Sequence, residues 1–289
     1  MSKILSFTLS LLTVVLLLAG GLVTSTDSGL SVPDWPLSYG QFFPPMVGGI
    51  LFEHSHRIIA GLILILTFVL MVAVLIQDSR RWMKQLTVFA FFLVIIQALL
   101  GGLTVIYLLP TAISVLHACI AQTFFVLICA LALFSTNIWQ SPQQIITNQC
   151  KKVRRMAITT FSLTYAQLIL GAIVRHTEGA FVLVHIAIGV VVLIHIHLLS
   201  RLSQSYILNA KPMVTISHCL SVGVLIQIFL GLGAYIQTLV IAPSASPRLQ
   251  EVFLTTLHQT LGAVLLALMM LYILLSFRCL QSPQSEKTN

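Results

Sequence analysis

Charged side chains are scarce in this chain of 289 residues. Asp, Glu, Lys and Arg together make up 8% of it, against about a quarter of an ordinary soluble domain. Seven residues are acidic, whereas 58% of the chain is hydrophobic. Its mean hydropathy is +1.02. So few charges cannot cover the surface of a soluble globular domain, and the composition therefore predicts a membrane protein with several spans.

Apolar runs long enough to cross a bilayer recur along the chain. A spanning helix needs about 20 mainly apolar residues. Runs of this kind occupy 4–23, 56–76, 86–108, 112–134, 156–174, 181–200, 213–237 and 256–277. The first run follows Lys3 and ends in small residues, so a cleavable signal peptide is an alternative interpretation of it. The sequence thus predicts an all-α integral membrane protein with eight spanning helices.

Basic residues are concentrated in every second loop. The loops that follow the second, fourth and sixth runs contain Arg80, Arg81, Lys84, Lys151, Lys152, Arg154, Arg155, Arg201 and Lys211. The other loops contain only Arg57, Arg175 and Arg248 as basic residues. By the positive-inside rule both termini are cytoplasmic and the protein is a multi-pass protein of the cell (inner) membrane. The net charge of +8 is thereby explained without a nucleic-acid partner.

The predicted outward loops lack cysteine. Cys119, Cys129 and Cys219 fall within apolar runs, while Cys150 and Cys279 fall on the predicted cytoplasmic side. A disulfide outside the cytoplasm would need cysteines on the outward side. The sequence therefore excludes such a bridge within this chain.

The chain contains an internal repeat. Residues 20–27 read GGLVTSTD and align with residues 171–178, which read GAIVRHTE. A Gln-x-x-x-Gly pattern also recurs in three odd-numbered runs, and the first run has Leu16 in the place of Gln. The three glutamines are Gln97, Gln167 and Gln227. Glycine permits close helix packing, and Gln can hydrogen-bond across helices.

These repeats predict two pseudo-symmetric four-helix bundles, each made of two helix pairs. Because four is an even number, both halves enter the membrane in the same sense, as parallel repeats do. We predict an N-terminal half, a basic cytoplasmic linker, a C-terminal half and a cytoplasmic tail. Their ranges are 1–140, 141–155, 156–280 and 281–289.

One histidine stands near the predicted outward start of each even-numbered run. These histidines are His56, His117, His185 and His258. A small residue follows each of them four positions later, at Ala60, Ala121, Gly189 and Gly262. Residues four apart share a helix face. The pattern therefore predicts cleared space beside each imidazole, as a flat macrocycle would need.

Four histidines in register indicate haem. Neutral imidazole is an axial ligand of haem iron, and two histidines per half allow one bis-histidine pocket in each bundle. A zinc or copper site would bring further Cys, Asp or His at short spacing. A di-iron site would need a second Glu-x-x-His, and Val182 occupies the matching position. Interhelical hydrogen bonding is the expectation for His54, His176, His195, His197 and His218.

Glu53 is the one carboxylate beside a predicted pocket. It precedes His56 by three residues and so shares its helix face. It also suits a structural role, since a Glu in the first turn favours the helix dipole and can pair with Arg57 at i+4. Both roles stay open. The preceding outward loop, residues 28–52, is long, aromatic and rich in proline, which is typical of an interfacial anchor, a lid or a binding element.

Taken in order, these motifs resemble the haem A synthase family. The resemblance rests on GGLV at residues 20–23, SGLSVPDWP at residues 28–36, the Glu53-x-x-His56-Arg57 motif and the three later histidines. It covers about residues 1–280. It implies oxidation of a ring methyl group of haem O to a formyl group, which gives haem A for terminal oxidases. It also implies a haem O synthase and terminal oxidase assembly proteins as partners, and leaves the electron acceptor open.

The resemblance implies roles for the residues of the C-terminal half. His185 and His258 would hold a haem b cofactor. Many members of the family have Arg at the position of Thr24, whereas here an Arg is found only at the matching Arg175. Arg175 is therefore the implied propionate contact.

The N-terminal half would hold the substrate. His56, His117 and Arg57 would bind haem O, and Glu53 would be the catalytic residue that stabilises charge or moves protons. Many bacterial members carry a cysteine pair in the first outward loop. This chain has none there, which excludes a dithiol redox role for the loop.

Two other functions compete with this interpretation. A di-haem electron carrier, such as a quinol-oxidising membrane cytochrome, explains the four histidines equally well but gives Glu53 and the long loop no role. A haem transporter predicts a polar path through the membrane, whereas the predicted cytoplasmic halves of the helices are nearly free of charge. A haem O synthase would need Asp-rich diphosphate motifs, which this sequence lacks.

Overall fold

A computed structural model of the chain describes residues 2–241 and 246–283. Within them lie eight helices long and apolar enough to cross a membrane, as the sequence predicts. They are α1 (Ser2–Ser25), α2 (Gly49–Gln77), α3 (Arg81–Ile106), α4 (Thr111–Phe134), α6 (Cys150–His176), α7 (Val182–Tyr206), α8 (Lys211–Tyr235) and α9 (Leu249–Cys279). A short helix, α5 (Asn137–Gln140), follows α4, and a π-helical turn (Ile236–Val240) extends α8. Of the predicted tail, residues 284–289 lie outside the described residues.

Several helices begin before their apolar runs. Helix α2 starts at Gly49 rather than at residue 56, and α9 starts at Leu249 rather than at residue 256. A helix satisfies its backbone hydrogen bonds internally, so polar residues can extend it beyond the hydrocarbon region that hydropathy detects. The predicted outward loop 28–52 therefore ends at residue 48, and His56 lies two turns inside α2.

The long helices pack in two closed groups of four. Consecutive helices from α1 to α4 contact each other, and α4 returns to contact α1. Helices α6 to α9 form a second group in the same way. The two groups meet where α1 and α4 contact α9 and where α4 contacts α6. This arrangement agrees with two four-helix halves, while their pseudo-symmetry and the predicted domain boundaries stay predictions.

Each bundle has its own apolar core, and a third core joins the two. The core of the first bundle includes Leu9, Ile63, Met83 and Ile128, and that of the second includes Val153, Ile196 and Tyr272. The third core contains Leu17, Phe125 and Leu266, from α1, α4 and α9. In α4 and in α9, 50% of the apolar 18-residue stretch that could span the membrane is buried inside the protein. In the other six spanning helices this share is at most 28%. Helices α4 and α9 are therefore the central helices of the molecule.

The segment between the bundles is anchored to the end of α9. Strand β1 (Ile145–Ile146) pairs in parallel with strand β2 (Leu280–Gln281). Helix α6 begins at Cys150, so the basic residues of the predicted linker belong to its first turns. Lys and Arg are good helix formers, which explains why the irregular part of the linker ends at residue 149.

Arg154 adds a second connection at this end. Its side chain donates hydrogen bonds to the carbonyl oxygens of Ser276 at 3.2 Å and Leu280 at 2.6 Å. These carbonyls lie at the end of α9, where a helix leaves its last acceptors without internal partners. Arg154 therefore caps α9 and holds the second bundle together at the linker.

Candidate functional site

Each of the four registered histidines rests against a glycine of the preceding long helix. A Cβ atom built on these glycines would lie between 2.6 and 3.1 Å from the imidazole Cε1 atom. The pairs are Gly20 with His56, Gly101 with His117, Gly171 with His185, and Gly231 with His258. A side chain at these positions would displace the ring. The same contact therefore recurs in all four helix pairs.

The glutamines of the Gln-x-x-x-Gly pattern bind the histidine backbone. Their Nε2 atoms donate to the histidine carbonyl oxygens across each helix pair, which confirms the predicted interhelical role. The distances are 2.9 Å for Gln97 to His117, 2.7 Å for Gln167 to His185 and 2.9 Å for Gln227 to His258. The first helix pair has Leu16 at this position, so its His56 carbonyl receives no such bond from α1.

The small residues four positions after the histidines have a different role from the predicted one. A Cβ atom on Gly189 or Gly262 would lie 3.2 Å from the Nε2 atom of Gln167 or Gln227. At these two positions the prediction of space beside the imidazole is wrong. Side chains on a helix lean toward its N-terminus, so the imidazole points away from a residue one turn later. The glycines clear space for the glutamine instead.

In the second bundle two histidine rings face each other. The ring centroids of His185 and His258 lie 6.2 Å apart, with an angle of 72° between the ring planes. Nδ1 of His258 lies 3.1 Å from the carbonyl oxygen of Gln227. A proton donated there leaves Nε2 unprotonated, as is usual for metal-binding histidines, and Nε2 of Gln227 lies 3.5 Å from it.

The histidine end of this bundle is loosely packed. The last buried residues are Thr164 in α6 and Val224 in α8. In the described stretches 165–176 and 225–235, which include Gly171 and Gly231, no residue is buried. Protein interiors are normally close-packed. The helices therefore leave room for a ligand at the end where the histidines lie.

In the first bundle Glu53 forms the expected ion pair with Arg57. The Oε1 atom of Glu53 lies 2.5 Å from Nη2 of Arg57, and the residue is only 3% exposed. Its Oε2 atom accepts a 2.9 Å bond from the backbone N–H of Val32. Nη1 of Arg57 donates to the carbonyl oxygens of Asp34 and Leu37 at 2.7 and 2.6 Å. The ion pair thus ties the loop that precedes α2 to this helix.

The same loop reaches the neighbourhood of His117. A Cβ atom on Gly102 would lie 2.6 Å from Cδ2 of the Trp35 indole. Gly102 follows Gly101, the glycine on which His117 rests. No role was predicted for this second glycine, although the Gly101-Gly102 doublet is a visible signal for a close contact. The loop therefore packs against the end of the first bundle where His117 lies.

Two of the remaining histidines, His195 and His197, bind within their own helix, so the expectation of interhelical bonds is wrong for these two. Nδ1 of His195 and of His197 lies 2.9 and 3.0 Å from a carbonyl oxygen one turn earlier in the same helix. That carbonyl lies within reach of the side chain without any partner helix. His54 is buried, and its Nδ1 lies 2.8 Å from Oγ of Ser38 in the outward loop.

Arg175 connects the two bundles. Its Nη2 atom donates a 2.8 Å bond to the carbonyl oxygen of Thr24, in the last turn of α1. Thr24 is the residue that aligns with Arg175 in the internal repeat. The contact is structural, and the propionate role of Arg175 stays a prediction.

The fold and these contacts define a class of protein. It is a membrane protein with eight spanning helices, in which a histidine ring packs against a glycine in each of four helix pairs. Residues 3–48 and 49–186 match the model of the family described as cytochrome oxidase assembly protein, COX15-CtaA. This match covers more than half of the chain, and the chain belongs to that family.

Curated relatives support the same family. Proteins named heme A synthase from Bacillus pumilus and Geobacillus thermodenitrificans are 32% identical over 185 residues and 30% identical over 169 residues. These alignments cover 62% and 57% of this chain and 60% and 53% of the respective relatives. A third protein of that name, from Halalkalibacterium halodurans, is 32% identical over 173 residues, which are 57% of this chain and 56% of that protein. The similarity thus spans less than two thirds of each relative.

Proposed function

We propose that this protein is a haem A synthase, which oxidises a ring methyl group of haem O to a formyl group for use in terminal oxidases. Family membership and the names of the curated relatives support the proposal. The observation that carries it is the contact between histidine and glycine, which is present in both bundles. Among the residues that the structure describes, an ion pair, that of Glu53 and Arg57, accompanies this contact in the first bundle alone.

The second bundle fits a haem b cofactor. An imidazole nitrogen lies about 2 Å from a metal that it binds, and the 6.2 Å between the ring centroids of His185 and His258 accommodates one ion between them. The loosely packed ends of α6 and α8 provide the room that a macrocycle needs. When bound, haem b would supply one-electron redox chemistry. Gly171 and Gly231 would keep the two ligands in position.

The first bundle would bind haem O between His56 and His117. Oxidation of a methyl group to a formyl group breaks two C–H bonds, removes four electrons to an acceptor and adds one oxygen atom. The buried carboxylate of Glu53 would stabilise charge or transfer protons during these steps. Arg57, fixed by loop carbonyls, would orient that carboxylate. Trp35, packed on Gly102, would help to exclude water from the outward end.

We also propose the orientation that the positive-inside rule predicts. The protein would lie in the cell (inner) membrane with both termini in the cytoplasm and the four histidines near the extracytoplasmic side. Haem O would come from a haem O synthase, and haem A would pass to proteins that assemble the terminal oxidase.

A matched pair of carboxamide variants tests the role of Glu53. Glu53→Gln keeps an acceptor for the N–H of Val32 but removes the charge, while Glu178→Gln changes an exposed acid at the same end of the molecule. Each variant is expressed with a haem O supplier, and its haems are extracted and separated by chromatography. We expect Glu53→Gln to retain haem b and accumulate haem O, and Glu178→Gln to make haem A. Wild-type haem A from Glu53→Gln would remove Glu53 from the mechanism.

The same extraction separates the proposal from its main rival. A di-haem electron carrier would contain haem b and unmodified haem O with a redox-active spectrum, and no haem A. That result for the wild-type chain would overturn the synthase proposal while leaving the histidine roles in place.

A further inference from the structure

A cleft of about 660 Å³ lies at the end of the molecule where the linker is found. It is enclosed by the end of α2, the start of α3, helix α5 and the end of α9. Its lining residues include Asp78, Arg80, Trp82, Trp139 and Arg278. The cleft therefore combines residues of the first bundle with the last turn of the second.

The charge of this cleft is positive. Asp78 neutralises Arg80, since Nη2 and Nε of the arginine lie 2.6 and 3.0 Å from the two carboxylate oxygens. Arg278 is exposed and, in the part of the chain that the structure describes, forms no ion pair. It donates instead to the carbonyl oxygens of Trp139 and Gln140 at 2.9 and 3.4 Å. A guanidinium group has five N–H donors, so Arg278 retains donors for an anion.

Aromatic side chains form one wall of the cleft. The ring of Phe134 lies 5.0 Å from that of Trp82 and 4.6 Å from that of Trp139, between centroids. The guanidinium of Arg278 lies 5.5 Å from the ring centroid of Trp139. Tryptophan is enriched at the level of lipid head groups, so this wall is suited to the membrane interface.

Exposed apolar residues are sequence neighbours of the residues that line the cleft. Ile76, next to Gln77 at the end of α2, is 77% exposed. Phe277, next to Arg278 at the end of α9, is 53% exposed, and its ring centroid lies 4.7 Å from the guanidinium of Arg154. These residues would face acyl chains when the helices are in a membrane. A ligand that fits the whole feature has an anionic head and an apolar tail, which distinguishes a lipid from a free anion such as phosphate.

We propose that this cleft binds the head group of an anionic phospholipid, with Arg278 as its main charged contact. The positive-inside rule assigns this end of the molecule to the cytoplasm. Basic sites between helices on that side are suited to anionic head groups. Because the cleft joins α2 and α3 to α9, a lipid bound there stabilises the association of the two bundles.

Thermal unfolding of the full-length protein in lipid nanodiscs tests this inference. The probes are phosphatidylglycerol and phosphatidylcholine with the same acyl chains, and inorganic phosphate added to the phosphatidylcholine sample. We expect phosphatidylglycerol to raise the Tm of the wild type by several degrees, and phosphate to leave it unchanged. Arg278→Gln should lose most of this increase. Lys211→Gln, which removes an exposed charge elsewhere at the same end, should retain it.

Three results would overturn the inference. Arg278→Gln could keep the full increase, Lys211→Gln could lose as much of it, or phosphate alone could reproduce it. If Arg278→Gln does not fold, Trp82→Ala takes its place, since Trp82 is 39% exposed at the rim of the cleft. If phosphatidylglycerol raised the Tm of Trp82→Ala as much as that of the wild type, this result would overturn the proposed site. None of these outcomes depends on haem A synthesis.

Discussion

At the scale of single residues, glycine decides where each histidine lies. The contact between glycine and imidazole occurs four times, always between consecutive long helices. Gly231 is the tightest case, because a Cβ atom there would lie 2.6 Å from Cε1 and 3.0 Å from Nδ1 of His258. Even one methyl group would therefore change the position of the proposed ligand.

Gly231→Ala should displace His258 and reduce haem b binding. Overpacking of this kind costs about 1–3 kcal/mol. The measurement is haem b per protein, from the absorption spectrum, together with the Tm. Gly61→Ala is the control, since a Cβ atom on Gly61 meets nothing within 4 Å. Full haem content in Gly231→Ala would show that this glycine does not hold His258 in position for haem.

A second residue-scale prediction concerns the outward loop. The Oδ2 and Oδ1 atoms of Asp34 accept hydrogen bonds from the backbone N–H groups of Gly40 at 2.8 Å and Tyr39 at 2.7 Å. The bond from Gly40, above all, lowers the pKa of Asp34 below its ordinary value. Because its pKa is lowered, ionised Asp34 stabilises the folded loop at every pH above the ordinary pKa of Asp, about 4. This stabilisation is lost when the pH falls through the lowered pKa and Asp34 becomes protonated.

Hydrogen exchange measures this effect directly. In the wild type, after correction for intrinsic rates, exchange at Tyr39 and Gly40 should increase as the pH falls below about 4. In Asp34→Asn the exchange should already be fast and should not depend on pH in this range. Equal protection in the two proteins at neutral pH would contradict the prediction.

At the scale of the helix pair, the glutamines hold the histidine backbone. Three pairs use Gln to bind the histidine carbonyl, and the pair of α1 and α2 has Leu16 instead. In that pair the outward loop provides other connections, through the bonds of Glu53 and Arg57 to Val32 and Asp34. The helix pair that carries His56 is therefore built differently from the other three.

Gln227→Leu reproduces the first helix pair within the last one. The carbonyl oxygen of His258 then loses a donor, and hydrogen bonds of this kind between membrane helices contribute about 0.6 kcal/mol. We expect a small decrease in Tm and weaker retention of haem b. Gln85→Leu, at an exposed position of α3, should change neither. Unchanged haem retention in Gln227→Leu would show that the bond does not position His258.

At the scale of the whole molecule, the two bundles meet through α1, α4 and α9. The apolar core of Leu17, Phe125 and Leu266 fills the middle of this interface. Polar contacts lie at the end of this interface nearest the histidines, where Oγ of Ser25 is 2.7 Å from Oγ1 of Thr255. Arg175 adds its bond to the carbonyl oxygen of Thr24 in the same region.

Arg175→Gln should weaken the association of the bundles even without haem. A hydrogen bond to a charged group contributes about 1.5–3 kcal/mol, so we expect a lower Tm for the apoprotein. The control is Arg155→Gln, which removes an exposed charge at the opposite end of α6. An unchanged apoprotein Tm with reduced haem binding would instead support the propionate role.

Much of the architecture could be predicted from the sequence because lipid imposes simple rules. Spanning segments must be apolar and helical, so hydropathy finds all eight helices. The internal repeat also identifies the four histidines as equivalent, since a shared helix position needs no knowledge of packing. The ends of the helices were less predictable, because polar residues such as Glu53 and His54 interrupt the apolar pattern inside a helix that continues past them to Gly49.

The sequence by itself therefore determined the fold class, the histidine register and the neighbourhood of Glu53 and Arg57 at i+4. Only the tertiary structure decided which atoms meet between helices. Each imidazole packs against a glycine, Gln227 donates a hydrogen bond to the carbonyl oxygen of His258, and Arg175 donates one to that of Thr24. The physical reason is that helices in lipid associate through close packing and hydrogen bonds rather than through hydrophobicity. Such contacts depend on the relative rotation and height of neighbouring helices, which the pattern of any one helix does not contain.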